Sequence, residues 1–174
     1  SRGLGDVYKR QIQVICGEGK GKTTAALGMG ISALLKGQTV IMIQFLKGCQ
    51  ELASCEILER LEPELKIFRF EKSDAFFETL SEEQQKEERM NIRNGMNFAR
   101  KVLSTGECDL VILDEVLGLL DQGIIEMDEM TTLLQSRVEE IDLILTGKVF
   151  PKELDPLVDG IREIDHLKVD NTKQ

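Results

Sequence analysis

The sequence predicts one α/β domain in which helices flank a mostly parallel sheet. Short apolar runs alternate with longer helical patterns along the chain, which is typical of strands connected by crossover helices. The first apolar run ends in a glycine-rich segment that opens a helix, a context typical of nucleotide-binding proteins. The 174 residues, of which 41% are hydrophobic, suffice to bury one core, and the sequence contains no internal repeat or linker.

The strands are predicted where an apolar run is bounded by polar residues or glycine. Thr39–Phe45 is nearly all apolar, which favours a strand covered on both faces. Asp109–Asp114 is a similar run that ends in acidic residues. The remaining strands are predicted at Gln11–Cys16, Leu65–Phe70 and Asp142–Thr146, with a last one within Ile161–Val169. Sheets of this kind bind ligands beyond the carboxyl ends of their strands.

The helices are predicted from composition and from capping signals. Thr23–Lys36 is rich in alanine, leucine and methionine, and Gly37 follows it where a C-terminal glycine belongs. Ser81 followed by Gln84 forms a capping box, which opens a long helix that runs to about Leu103. Shorter helical segments are predicted over Met127–Val138 and after Pro151.

The charge and composition of the sequence indicate which binding partners and which cellular compartment to expect. The net charge of −9 disfavours nucleic acid, because phosphate backbones need a basic surface. No apolar run approaches the ~20 residues that cross a bilayer, and residues 1–10 lack the apolar core of a secretion signal. The four cysteines form no C-x-x-C pair, which indicates free thiols in a reducing cytosol. We expect a cytoplasmic domain over residues 11–174 that binds no membrane, preceded by a loose lead of uncertain origin.

The segment Gly17–Thr24 (GEGKGKTT) is predicted to bind the triphosphate of a nucleotide, which makes the fold P-loop NTPase-like. Its three glycines allow the backbone to curl and direct N–H groups at phosphate oxygens, and the following helix adds the positive end of its dipole. Lys22 is placed to reach the outer phosphates, and Lys20 supplies a second cation. The expected nucleotide-binding residues are Gly17, Glu18, Gly19, Lys20, Gly21, Lys22, Thr23 and Thr24.

A magnesium site is predicted beside this loop. The Thr23 hydroxyl is placed to ligate Mg²⁺, and Asp114 and Glu115 end a buried strand where a carboxylate could hold the metal directly or through water. Acids at a strand end can also be simply solvated, so their position beside a phosphate loop is what favours metal binding. The common pattern G-x-x-x-x-G-K-[ST] would place glycine at position 16, where this chain has Cys16.

Four segments occur in an order that resembles one enzyme family: Gly17–Gly28 (GEGKGKTTAALG), Gln44–Gly48 (QFLKG), Asp109–Glu115 (DLVILDE) and Thr146-Gly147. Together, over about Gln11 to Asp159, they resemble the ATP:corrinoid adenosyltransferases of the cobalamin pathway, the kind named for cob(I)yrinic acid a,c-diamide. That family's loop is similar in lacking the leading glycine, so Cys16 agrees with the resemblance.

The resemblance implies that the 5′-deoxyadenosyl group of ATP is transferred to the Co(I) centre of a corrinoid, with release of triphosphate. The cobalt is itself the nucleophile, so a Ser/His/Asp or Cys/His arrangement is not required. The protein would position the substrates, neutralise the leaving triphosphate with Mg²⁺ and loop cations, and exclude water. The resemblance also implies a homodimer and an electron donor such as a flavoprotein.

The resemblance assigns roles to single residues. Lys22, Gln44 and Glu115 are expected to be catalytic. Lys47 and Lys148 are expected to bind the substrates, although relatives usually have arginine where this chain has Lys148, and lysine lacks the bidentate guanidinium. Relatives carry an aromatic stretch that covers the lower face of the corrin ring, and the residues that occupy the corresponding region are Phe76 and Phe77.

Two other functions remain open from the sequence. A small P-loop ATPase or kinase would form orthophosphate or a phosphorylated acceptor. Such an enzyme needs a group that positions water or the acceptor, and the sequence shows no motif that supplies one. A non-catalytic sensor of ATP or corrinoid would keep the nucleotide site without turnover. The family's C-terminal segment, rich in basic and glycine residues, has no counterpart here, which predicts weaker corrinoid binding or binding completed by a partner chain.

Overall fold

Parallel strands form the centre of the molecule. The computed structural model describes residues 9–46, 56–70 and 76–166. Within these ranges, six strands form one sheet in the order β3-β2-β4-β5-β1-β6, and every neighbouring pair is parallel. The strands are β1 (Ile12–Cys16), β2 (Val40–Phe45), β3 (Leu65–Phe70), β4 (Leu110–Asp114), β5 (Asp142–Thr146) and β6 (Gly160–Glu163).

The helices connect successive strands, as the sequence predicts. They are α1 (Lys22–Leu35), α2 (Glu56–Glu59), α3 (Glu82–Thr105), α4 (Val116–Asp121) and α5 (Met127–Gln135), with 3₁₀ turns at Phe77–Thr79 and Lys152–Leu157. The Ser81 side chain and the Gln84 side chain form the predicted reciprocal capping box at the start of α3. Gly37 has a φ of 78°, so it takes the left-handed conformation that the end of α1 requires.

Both faces of the sheet are covered, which explains the continuous apolar runs. Alternate side chains of each strand point to opposite faces. Met42 and Ile112 pack on the face that carries α1, whereas Ile43 and Leu113 pack on the face that carries α3, α4 and α5. All residues of β2 and β4 are buried. The predicted α/β fold with a parallel sheet is therefore confirmed.

One predicted helix end is wrong, for a physical reason. The helix predicted to reach Val138 ends at Gln135, because the Val138 N–H donates instead to the Leu103 carbonyl at the end of α3. The last strand, predicted within Ile161–Val169, is β6, and the Ile164 carbonyl that follows it accepts from the Gly19 N–H of the phosphate loop. Of the helices that the structure describes, α2 and α4 were not predicted. The domain bounds 11–174 remain a prediction, since residues 1–8 and 167–174 lie outside the described ranges.

Among the residues that the structure describes, no helix is both long enough and apolar enough to cross a bilayer.

Candidate nucleotide-binding site

The predicted phosphate loop lies at the carboxyl edge of the sheet, between β1 and α1. Gly21 precedes α1 with a φ of 105°, and the first intrahelical bond runs from the Ala25 N–H to the Gly21 carbonyl. The N–H groups of Lys22, Thr23 and Thr24 therefore precede the helical ladder and lie at the positive end of the helix dipole. This arrangement is a ready anion site.

The Lys22 side chain is curled over the loop. Its Nζ donates to the carbonyl oxygens of Gly17 and Gly19, each at 2.8 Å. The ammonium group is thus held above the loop before any phosphate arrives, which reduces the conformational entropy lost on binding. Lys20 in the loop and Thr24 in the first turn of α1 are both exposed.

The loop glycines are needed for two different reasons. A Cβ on Gly17 or Gly19 would collide with the backbone of residues 164–165, which crosses the loop. The Gly17 N–H donates to the Lys148 carbonyl at 2.9 Å, and the Gly19 N–H donates to the Ile164 carbonyl at 2.8 Å. The N–H groups of Gly17 and Gly19 are thus bonded within the protein, whereas the sequence predicts N–H groups directed at phosphate oxygens. For Gly21, the positive φ is the reason, because among the described atoms none lies within 4 Å of its Cβ position.

Asp114 is the centre of a buried polar cluster. The Thr23 hydroxyl donates to the carboxylate and lies 3.0 Å from each of its oxygens. The Thr146 hydroxyl donates to Oδ1 at 2.7 Å, and Gln44 Nε2 donates to Oδ2 at 3.3 Å. Burial raises the pKa of Asp114, while the hydrogen bonds from Thr146, Thr23 and Gln44 oppose that rise. The strand ends thus bring the predicted loop threonine and the predicted carboxylate together.

Glu115 marks the break between β4 and α4. Its φ of 60° is unusual for a residue with a side chain, and its N–H donates to the Thr146 hydroxyl oxygen at 2.8 Å. Thr146 therefore accepts from the backbone of Glu115 and donates to Asp114. Burial raises the pKa of Glu115, the nearby Asp114 raises it further, and Lys22 and Lys148 oppose the rise. The two carboxyl groups share one partly desolvated, electrostatically coupled site.

Gln44 links this cluster to the edge of the sheet. It is fully buried, and its Oε1 accepts from Arg69 Nε at 3.0 Å. The sequence placed Gln44 in the site but gave no role to Arg69. The signal that identifies Arg69 is its strand register, because the Cα of Gln44 pairs with Arg69 on β3 and with Asp114 on β4.

Lys148 and Glu18 pair at the rim of the site. Lys148 Nζ lies 3.4 Å from Glu18 Oε2, and both side chains are more than half exposed. An exposed pair of this kind contributes little to stability, so Lys148 can exchange it for a phosphate at little cost. Lys47, which the sequence also assigns to substrate binding, lies outside the described residues.

The two predicted aromatic contacts differ in their surroundings. Phe76 is 61% exposed, whereas Phe77 is half-buried and packs against the core. The Arg89 guanidinium lies 5.0 Å from the centroid of the Phe77 ring, and Gln85 Nε2 donates to the Phe77 carbonyl at 3.0 Å. Phe77 therefore packs against the core, and Phe76 is the more exposed of the two.

The donor set at Asp114 suits Mg²⁺. Over the described ranges, no group of three or more histidine, cysteine, aspartate or glutamate side chains forms a metal cluster. Magnesium does not need such a cluster, because it usually binds through one or two protein oxygens, phosphate oxygens and waters. The Thr23 hydroxyl and the Asp114 carboxylate, in contact at the mouth of the phosphate loop, provide those protein oxygens.

A solved structure shares the fold. A KaiC-like protein from Pyrococcus horikoshii aligns with a TM-score of 0.58 and 15% identity, covering 92% of this chain and 74% of that chain. At this identity the likeness shows the fold alone.

Sequence comparisons identify the family. An uncharacterised protein from Nostoc is 32% identical, over 90% of this chain and 44% of that protein. The corrinoid adenosyltransferases of Escherichia coli K12 and Salmonella typhimurium are each 27% identical, over 90% of this chain and 77% of those proteins. The model of the family described as ATP:corrinoid adenosyltransferase BtuR/CobO/CobP matches residues 8–174. A match over nearly the whole chain shows that this protein belongs to the ATP:corrinoid adenosyltransferase BtuR/CobO/CobP family.

Proposed function

We propose that this protein transfers the 5′-deoxyadenosyl group of ATP to the Co(I) centre of a reduced corrinoid and releases triphosphate. The observation that carries the proposal is the contact between Thr23 and Asp114 beside a preformed phosphate loop, in a chain of this family. The corrinoid is cob(I)yrinic acid a,c-diamide or cob(I)alamin.

In the proposed reaction, cobalt attacks the ribose 5′-carbon and the bond from that carbon to the triphosphate oxygen breaks. Negative charge then develops on the leaving triphosphate. Lys22 and the N–H groups at the start of α1 stabilise that charge, because they are already oriented towards the loop. Lys20 and Lys148 add positive charge at the rim.

Mg²⁺ would be held by Thr23 and Asp114, with Glu115 beside them, and when bound it neutralises phosphate charge. Gln44, Thr146 and the backbone of Glu115 keep the Asp114 and Thr23 oxygens in place. Gln44 and Glu115 therefore act in catalysis by shaping this end of the site. Phe76, with Phe77 behind it, covers the lower face of the corrin ring.

The partners belong to the same proposal. A homodimer and a reducing partner such as a flavoprotein follow from the resemblance of the motifs to the family, and a cytoplasmic location follows from the free thiols that the cysteine spacing predicts. Lys47, in the segment after β2, contributes to substrate binding.

The test is an anaerobic reaction of the protein with Mg·ATP and a chemically reduced Co(I) corrinoid. We expect a light-sensitive adenosylcorrinoid, seen by absorbance, together with intact triphosphate. Orthophosphate formed without corrinoid would favour an ATPase, and ATP binding without any product would favour a sensor; either result overturns the proposal.

A pair of variants tests the loop. Lys22→Ala should abolish transfer, because the charge nearest the leaving group is lost, while circular dichroism stays unchanged. Lys36→Ala is the matched control, since Lys36 is exposed at the opposite end of the same helix. Full activity in the Lys22 variant would remove the loop from the mechanism.

A further inference from the structure

We propose that Arg69, on the edge strand β3, is a positioning residue that holds Asp114 in place through the amide of Gln44. This inference rests on the proposed function, because it concerns the Mg·ATP site of that reaction. Arg69 acts through another residue, so its effect should appear in metal-dependent ATP binding.

Arg69 begins a row of hydrogen bonds that crosses four neighbouring strands. Arg69 Nε donates to Gln44 Oε1 at 3.0 Å, and Gln44 Nε2 donates to Asp114 Oδ2 at 3.3 Å. The row continues to Thr146 on β5, whose hydroxyl donates to the other carboxylate oxygen. Because β3, β2, β4 and β5 are adjacent in the sheet, the row lies along its carboxyl edge, and Asp114 within the row contacts Thr23 at the start of α1.

The direction of these bonds follows from the chemistry of the end groups. A guanidinium can only donate, and an ionised carboxylate can only accept. The amide between them must therefore turn its oxygen to Arg69 and its NH₂ group to Asp114. With the amide reversed, the Gln44 oxygen would face the carboxylate oxygens and its NH₂ would face the guanidinium, so both contacts would be repulsive.

Burial makes this orientation depend on Arg69. Gln44 is fully buried, so its Oε1 has no access to bulk water. Removal of the Arg69 donor leaves a buried acceptor without its partner, which is unfavourable, and the amide can then rotate away from Asp114. Asp114 would keep the bonds from Thr23 and Thr146, but its Oδ2 oxygen would lose the Gln44 donor and keep the contact with the Thr23 hydroxyl. The oxygen available to the metal would then be less well placed.

The experiment measures Mg²⁺-dependent binding of ATP by calorimetry, without corrinoid. In Arg69→Met, we expect the Mg²⁺ concentration for half-maximal ATP binding to rise about tenfold, the scale for loss of a group that orients a metal ligand. The ATP affinity of Arg69→Met without Mg²⁺ should stay within about twofold of the wild-type affinity. A change of that size is expected when the substituted residue and the ATP site are independent. Arg69→Lys, which keeps a donor near Gln44 Oε1, should recover part of the loss.

The opposite edge of the sheet provides a matched control. Arg162 on β6 donates from Nη1 to Gln13 Oε1 at 3.0 Å. An arginine and a glutamine on neighbouring strands are therefore paired here, as Arg69 and Gln44 are at the other edge. Gln13 belongs to β1 and lies near the amino end of its strand, away from Asp114. Arg162→Met should therefore leave the Mg²⁺ dependence unchanged.

A double variant tests whether Arg69 acts through Gln44. In the Gln44→Leu background, Arg69→Met should have less than about a twofold further effect, because the shared link is already broken. A full further rise in the half-maximal Mg²⁺ concentration on adding Arg69→Met to Gln44→Leu would show that Arg69 acts directly on the ligand. An unchanged Mg²⁺ dependence in the single variant Arg69→Met would show that Arg69 has no positioning role. Either result overturns the inference. Absence of ATP binding in the wild type would instead refute the proposed function. Wild-type binding without adenosyl transfer would refute that function alone and leave the test of Arg69 intact.

Discussion

Replacement of Thr146 by valine tests how the buried acid at the end of β4 is held. Thr146 is fully buried; its hydroxyl donates to Asp114 Oδ1 at 2.7 Å and accepts from the Glu115 N–H at 2.8 Å. Valine has nearly the same shape, so the change removes both bonds without leaving a large cavity. The Glu115 N–H would be left without a partner, which costs about 1–3 kcal/mol, and Asp114 Oδ1, which keeps the Thr23 bond, would lose one hydrogen bond of about 1 kcal/mol, so the free energy of unfolding should fall by about 2–4 kcal/mol in total.

The matched control for this variant is Thr146→Ser, which keeps the hydroxyl and loses one methyl group. Its expected cost is about 1 kcal/mol, from lost burial alone. Both free energies are measured by urea unfolding at pH 7. The reasoning would be refuted if the valine variant were as stable as the wild type, or if the serine variant were as unstable as the valine variant.

Three further predictions concern the loop, a thiol and the aromatic pair. Gly19→Ala should lower the free energy of unfolding by about 1–3 kcal/mol, because the new Cβ would collide with the backbone that crosses the loop. Gly28→Ala, in the middle of α1 where a Cβ has open space among the described residues, should raise the free energy of unfolding by up to about 1 kcal/mol. Thermal unfolding of both variants checks these two changes. Burial raises the pKa of Cys108 to about 11, so its thiol should resist alkylation at pH 8 in the folded protein and react once unfolded, as measured by mass spectrometry. Because the unfolded thiol ionises first, near 9.0, the stability that Cys108 contributes should also be lost as pH rises from there towards 11. Phe77→Ala should cost about 2–3 kcal/mol of stability, and Phe76→Ala should stay within about 0.5 kcal/mol, by urea unfolding; equal costs would contradict the difference in burial.

The sheet and the loop could be predicted because their signals are local. β2 and β4 are buried along their whole length, so each appears in the sequence as a nearly continuous apolar run. The phosphate loop depends on residues within one short segment, and its lysine and threonine lie where that spacing indicates. Capping by Ser81 and Gln84 is likewise local, and the structure confirms it.

Helix α4 could not be predicted from the same kind of pattern. The apolar run of β4 is separated by only two acidic residues, Asp114 and Glu115, from a second apolar segment, Val116–Leu119, which is also buried. A short apolar segment does not distinguish a strand from a buried helix by periodicity. The break comes from the left-handed conformation of Glu115, which is bonded to Thr146 on another strand. That bond depends on tertiary structure.

Two features of the site also depend on contacts between residues that are distant in the sequence. The need for glycine at Gly17 and Gly19 comes from residues 164–165, at the far end of the chain. The contact between Arg69 and Gln44 depends on the order of the strands and on their register. Neither can be read from a single segment, because each needs a pairing that only the fold supplies.

A crystal structure of the protein with Mg·ATP tests the central claim most directly. We expect the triphosphate within the loop of residues 17–24, with Lys22 Nζ moved from the Gly17 and Gly19 carbonyls to a phosphate oxygen about 2.7–2.9 Å away. We also expect the metal beside Thr23 and Asp114. A nucleotide bound elsewhere, or a loop in which Lys22 keeps both carbonyl bonds while ATP is bound, would contradict the account.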